Sequence, residues 1–558
     1  MSHSNAAAAR LEQAPAEPAT VAEPAPAPAA PPPFVAKPLP IQLLYAFTSI
    51  AAAVMQGLGT SLISANLQQI AGPLEATQNE AAWLVAAYLC PNVSLGLFLF
   101  KVRTQYGIRN FCEWAIIPYV LISLAHLWVN DLSLSIALRF FAGAAAAPIS
   151  SMAFLYMLEI FPPEKKLNIG LCMAMIGLSL ATPIAGLVSP SLLDINELRG
   201  LYLLELGLAL IVFGLIYILP LTSPPRAKVI TPMDFVSYGL LATSMGCLAV
   251  FFTMGRLYWW LEVDWLGWVL IVGIVTGALL AVLELNRENH LIDIRWITSK
   301  EMIHFAGILL VFRMLLTEQS TGAINFFRQL GLFNEQMTGL YWWILIASVV
   351  SGLLCAMVMK PGREAMIHLV ALILIAAGSY MDSYSTALTR PEQMYFSQSM
   401  IAFGSALFLP PAMAVGFSAA LKKGLTYIIS FIAIFLFTQK VGAFIGSALF
   451  GTFVTWREQY HSAMLTSRLL PTDPLVTARI GQYVGAYARV TPDSAKRTVQ
   501  GTTLFARQVQ QQAYVLAYND AFFVIFLMAL AAIGMLLVHV AWTHRDRIRS
   551  TATPAQTA

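Results

Sequence analysis

KKLNIGLCMAMIGLSLATPIAGLVSPSLLDINELRGLYLLELGLALIVFGLIYILPLTSPPRAK, residues 165–228, is the stretch whose reading decides the fold. It holds two apolar runs, near 167–192 and 200–221, each long enough for the about 20 residues with which an α-helix crosses a bilayer. The link between them carries Arg199 as its basic residue. The flanking links carry Lys165 and Lys166 on one side and Arg226 and Lys228 on the other. Lysine and arginine gather in cytoplasmic links, so the stretch reads as a helical hairpin that leaves the cytoplasm and returns to it.

Working outward, the same pattern covers the chain. Further apolar spans lie near 41–67, 81–102, 111–129 and 132–158 before this hairpin. After it come 234–254, 265–285, 303–325, 338–359, 364–382, 395–420, 424–455 and 515–542, which makes fourteen in all. Basic links recur with one parity: Lys101, Arg103 and Arg109; then Arg287, Arg295 and Lys300; Lys360 and Arg363; Lys422 and Lys423. The alternate short links hold little beyond Arg199, Arg256 and Arg390. An all-α, multi-pass protein of the plasma (inner) membrane follows, with both termini cytoplasmic.

Composition supports this class. Of 558 residues, 58% are hydrophobic and 11% charged, against about 25% charged in soluble domains. The net charge of +4 sits in inner links and tail and reports topology, so nucleic acid is not an expected partner. Cys90, Cys112, Cys172, Cys247 and Cys355 all fall in apolar spans without metal-ligand spacing and read as packing residues. Residues 1–38 are an Ala/Pro/Glu tract with no apolar core of a signal peptide, read as a disordered cytoplasmic tail.

A faint repeat organises the spans. Arg139-Phe-Phe-Ala-Gly143 with Pro148 in the fourth span matches Met400-Ile-Ala-Phe-Gly404 with Pro410 in the twelfth. If spans seven and eight are an inserted pair, these are equivalent positions of two halves, the arrangement by which transporters place a solute site at the repeat interface. The expected organisation is a tail at 1–39, a six-helix bundle at 40–222, an inserted pair at 223–300 and a second six-helix bundle at 301–542. That second bundle carries an extracytoplasmic loop at 457–512, helical in part, and a cytoplasmic tail follows at 543–558.

These residues carry a family resemblance. Trp83-Leu-Val-Ala-Ala-Tyr88, the Arg139/Gly143 pair, Pro162-Pro163 with Gly170, and Arg199 with Leu201 to Gly207 belong to the first half. Asp234, Lys440-Val-Gly442-Ala-Phe-Ile-Gly446, His461, and Asp520-Ala-Phe522 follow. Together they resemble the fourteen-helix drug:proton antiporters of the major facilitator superfamily, the EmrB/QacA-type branch, as a divergent member. The acid that family carries in its first helix falls here at Gly59. The loop after the second span, Phe100-Lys-Val-Arg-Thr104-Gln105-Tyr-Gly107, keeps Gly107 and Arg109 but loses its acid, and the fifth-helix antiporter signature is reduced to Pro183 and Gly186.

Ionisable groups within apolar spans mark function by default. Arg139 lies about 10 Å into its span, as an anion anchor or a structural tether. Glu205 is a proton-site candidate that also reads as snorkelling outward. Arg313 and Glu318 are rotated about 140° apart on one helix. Glu318 is a coupling candidate, with a bond to Lys440 as its structural alternative. Gln56, Asn66 and Tyr88 are candidate pathway residues, while His461 reads as solvated.

The resemblance implies a secondary active exporter of small hydrophobic or aromatic compounds by alternating access. It also implies coupling to protons, with a membrane-fusion adaptor docking at 457–512. An uncoupled uniporter or exchanger of an organic anion is the alternative. A membrane-embedded enzyme or receptor ranks last, for no catalytic motif, cofactor site or metal cluster is visible.

Overall fold

The computed structural model describes residues 36–193, 198–222, 226–260, 262–470 and 472–551. Of the two expected tails, residues 1–35 and 552–558 lie outside the described residues. The first half comprises α1 (Leu39–Ala65), α2 (Trp83–Tyr106), α3 (Ile108–Ala125), α4 (Leu132–Glu159), α5 (Leu171–Leu192) and α6 (Arg199–Ile218). Next come α7 (Pro232–Gly255) and α8 (Asp264–Leu285). The second half comprises α9 (Lys300–Leu315), α10 (Thr338–Val358), α11 (Glu364–Asp382), α12 (Tyr395–Lys423), α13 (Leu425–Arg468) and α14 (Ser494–Thr551).

Among the described residues, thirteen helical stretches are long and apolar enough to cross a membrane. The exception is the expected span at 303–325. Its helix α9 stops after 16 residues, and the chain continues through a π-helical segment, Glu318–Ala323, into Ile324–Gln329. The polar run Thr317-Glu-Gln-Ser-Thr321 makes this break, since its side chains find partners other than lipid.

Local sequence explains the helix starts. Asp131 caps α4 by accepting from the Leu134 amide, 3.0 Å away. Thr77 and Glu80 form a capping box ahead of α2. Gly107, at φ +87°, makes the turn from α2 to α3 in a conformation that disfavours side chains.

Pairing follows the two-half plan. In the first half α1 packs along α5, α2 along α4 and α3 along α6; in the second, α9 packs along α13, α10 along α12 and α11 along α14. The larger core cluster belongs mainly to α9–α14, a second mainly to α1–α6. Small residues set the closest contacts: Ala53 and Gly57 of α1 meet Gly177 and Ala181 of α5, the spacing that lets membrane helices approach.

The paired glycines of the sequence repeat serve different seams. A side-chain carbon on Gly143 would run into the Tyr88 carbonyl of α2, whereas one on Gly404 would meet the Ala371 carbonyl of α11. Gly143→Ala is expected to lower stability by about 1–3 kcal/mol through overpacking, read as a drop in the melting temperature of the purified protein.

The pair α7–α8 docks on α2 through buried charges. Asp234 Oδ1 lies 2.8 Å from both Lys101 Nζ and Arg287 Nη2, and Arg287 Nη1 lies 2.9 Å from Glu284 Oε1. Two cations and two anions balance, which is how buried charge is tolerated. The α5–α10 seam then joins the halves: Tyr341 lies on Gly186, Ile176 on Gly352 and Cys172 on Cys355.

The last two helices are longer than the sequence reading gave them. α13 extends past 455 to Arg468 and α14 begins at Ser494, not near 515. At 1.5 Å per residue the 44 residues of α13 span about 66 Å, twice the about 30 Å hydrocarbon core. The expected loop is therefore largely a helical protrusion, with Pro474–Ala486 packed on α14. His461 is not merely solvated, since its Nε2 lies 2.6 Å from Asp520 Oδ2, which also accepts from Arg457.

Candidate functional site

A cavity of about 490 Å³ lies between the halves, within the range that holds small organic ligands. Its walls come from α1 (Thr60, Ser61), α2 (Val85, Leu89), α7 (Phe252), the segment from Arg313 to Arg328, and α13 (Phe444, Ser447). Gln68, Gln69 and Gln78 of the α1–α2 connection also line it, so it extends to that end of the bundle. Among the described residues, its charged lining residues are Arg256, Arg313 and Arg328, and no carboxylate lines it.

Each lining arginine is placed by its neighbours. Arg313 Nε donates to the Gln439 carbonyl at 3.0 Å, and Gly442 leaves α13 flat enough for its stem, since an added carbon would come within 3.1 Å of Cγ. Arg328 donates to the Ala65 carbonyl at 2.5 Å and to Asn325. Asn334 bridges the halves nearby: its amide donates to Asn66 Oδ1 at 2.8 Å, while Asn66 donates to Ser189. Asn66 thus combines cavity lining with a latch.

Arg139, fully buried, stands behind the wall. It donates to the Gly59 carbonyl and lies 4.5 Å over the Tyr88 ring. The missing first-helix acid has a steric cause, because a side-chain carbon at Gly59 would sit 2.5 Å from the Tyr88 hydroxyl. A backbone carbonyl replaces the carboxylate as partner. Tyr88 in turn donates to the Gln56 carbonyl at 3.2 Å, so neither Tyr88 nor Gln56 is among the cavity's lining residues. Glu205 does not snorkel outward: it is 4% exposed and accepts from the Tyr119 hydroxyl at 2.7 Å.

The pairing of Glu318 with Lys440 does not form. Lys440 crosses to α2, where Nζ lies 2.7 Å from the Asn92 carbonyl and 2.5 Å from its Oδ1. Glu318 instead faces α11. Ser379 donates to its Oε2, and its carboxyl interacts with that of Asp382. Asp382 accepts from Ser397 and, at 2.7 Å, from Gln398 Nε2. Glu318 Oε1 is buried without a hydrogen-bond donor. Among the described residues, no Lys or Arg forms an ion pair with either acid. Arg313, on α9, thus lines the cavity, while Glu318, on the π segment that follows, turns away from it. Ser320 and Thr321, on the same π segment as Glu318, line the cavity.

Comparison with known proteins fits this architecture. The model of the Major Facilitator Superfamily matches residues 49–316. The multidrug export protein EmrB of Escherichia coli (strain K12) is 23% identical over 505 residues, 88% of this chain and 93% of that protein. The chain has the major facilitator fold.

Its sequence is divergently similar to the EmrB-type branch, and its helices make it a multi-pass membrane protein of the transporter fold. The colistin resistance protein EmrB of Acinetobacter baumannii is 20% identical over 83% of this chain and 89% of its own length. Among solved structures, a POT family transporter in complex with a thioalcohol-conjugated peptide superposes with a TM-score of 0.54 at 13% identity. It covers 89% of this chain and 96% of its own. The human organic anion transporter MFSD10 gives 0.51 at 11%, covering 88% and 100%. Both likenesses concern the fold alone.

Against this structure, the sequence reading missed Asp382, Gln398, Asn92 and Arg328. Asp382 carried a signal: an acid in the last turn of an apolar span. Asn92 and Arg328 carried none, because their roles depend on which helix lies opposite.

Proposed function

We propose that the chain is a secondary active exporter whose substrates are aromatic or hydrophobic compounds bearing a negative charge. The acid-free cavity carries this reading. Three arginines on one wall set, unbalanced by any lining carboxylate, leave a charge that an anion offsets. Phe252, Phe333, Phe444 and Tyr518 offer aromatic surface alongside. The charge pattern of the links puts the cavity mouth on the extracytoplasmic side and both termini in the cytoplasm. Alternating access then rocks the halves about the α5–α10 seam.

Proton antiport is the proposed driving step, with Glu318 and Asp382 as its carrier. Two carboxyls in contact, with no cation beside them, hold one proton between them, because adjacent negative charges are not sustained in an apolar surrounding. Release of that proton alters the π segment whose other face lines the cavity, which links proton and substrate. The helical protrusion of α13 and α14 is the surface we assign to an adaptor. An uncoupled organic-anion exchanger is the second reading, favoured by the loss of both family acids near α1 and α2.

Proteoliposomes with an imposed pH gradient separate the two. Uptake of a fluorescent aromatic carboxylate that follows the gradient, with accompanying proton movement, supports antiport. Exchange that ignores the gradient supports the second reading. Transport of only uncharged or cationic dyes would defeat both.

A further inference from the structure

Three sulfur atoms meet where the halves touch near one end of the α5–α10 seam. Cys172 Sγ lies 3.6 Å from Cys355 Sγ and 3.3 Å from Met359 Sδ. Cys172 is the second residue of α5; Cys355 is in the last turn of α10, and Met359 follows it directly. Both cysteines are free and fully buried, and Met359 is 5% exposed. Nothing in the transport mechanism uses them.

We propose that Cys172, Cys355 and Met359 form a site for a soft monovalent cation, Cu(I), which on binding clamps α5 to α10. Thiolate and thioether donors select such an ion, whereas carboxylates and imidazoles suit harder ones. Among the described residues no group of three or more His, Cys, Asp or Glu side chains stands ready for a metal, so zinc finds no four-ligand cage here. The spacing also fits. Two sulfurs held about 2.3 Å from one three-coordinate centre lie about 4.0 Å apart, so the 3.6 Å and 3.3 Å separations need to widen by less than about 1 Å on binding. Binding releases the two thiol protons as two metal–sulfur bonds form, the neutral Met359 thioether adding a third donor; no electron is transferred.

The donors come from both halves, which gives the site its consequence. Cys172 belongs to the first bundle and Cys355 with Met359 to the second, so a bound ion ties the two at the end of the seam that must part as the halves rock. Entry is from the basic face, next to Lys165 and Lys166, when the halves part. Closure then completes the ligand set.

Silver(I), a redox-stable probe of the same ligand preference, tests this on the detergent-purified full chain in chloride-free buffer. The wild-type chain and Cys90→Ser are expected to bind one tight equivalent. Cys172→Ser and Met359→Leu should bind about 10- to 100-fold more weakly, the loss usual when a metal site is disturbed. Met359→Leu nearly conserves volume, so it reports even where the serine variant fails to fold. In liposomes, silver should halt wild-type transport at concentrations that leave Cys172→Ser running. Equal binding by the wild type and a Cys172→Ser, Cys355→Ser double variant overturns the site; tight binding with unaffected transport overturns the clamp. Only the transport arm rests on the export reading, so the two failures are told apart.

Discussion

Glu318→Gln protein in liposomes is expected to lose its response to an imposed pH gradient, by on the order of 100-fold, the upper range of a coupling free energy between two sites. Glutamine keeps the shape and can still meet Ser379, but it carries no exchangeable proton on the acid. Its amide also gives the Asp382 carboxyl a permanent donor. Asp382 then remains charged and satisfied, and the pair no longer alternates between protonated and deprotonated forms. Substrate affinity should change little, because neither acid lines the cavity. Exchange of labelled for unlabelled substrate, which needs no net proton movement, is expected to persist. A variant that still concentrates substrate on a pH gradient would remove Glu318 from the coupling step.

Arg313→Ala should weaken anionic substrates by about 30- to 140-fold, the effect of losing about 2–3 kcal/mol of charge-assisted hydrogen bonding. The guanidinium is anchored through Nε on the Gln439 carbonyl, which leaves its other nitrogens to reach into the cavity. An uncharged analogue of the same substrate should change by less than about threefold, since it made no such bond. Competition assays with a carboxylate and its methyl ester give the contrast directly. Equal losses for both would mean that Arg313 shapes the wall and does not read charge.

Both predictions turn on what the linear chain could not display. Glu318 and Arg313 were visible as isolated charges in an apolar span, and helical periodicity put them on different faces. Their partners were not. Glu318 meets Asp382, distant in sequence, because the π segment after α9 packs on α12 and α14, the two helices that flank α11. Lys440 at comparable depth turns to Asn92 because α13 also borders α2. Depth and motif left Arg139 as an anion anchor or a structural tether; only the approach of Gly59 and Tyr88 puts its guanidinium behind the wall. The gathering of Arg256, Arg313 and Arg328 around one void depends on three separate elements, two of them outside any regular span.

Span length and the parity of basic links determined the membrane class and the helix order, because each rests on local physics: the thickness of a bilayer and the cost of moving charge through it. The fold of two six-helix bundles with an extra pair was likewise legible, in spacing and in a recognisable set of motifs. Tertiary structure alone decided which buried charges pair and which face the cavity. In an apolar medium a polar side chain takes the nearest partner that satisfies it, and nearness between helices is set by packing, which no position along the chain encodes by itself.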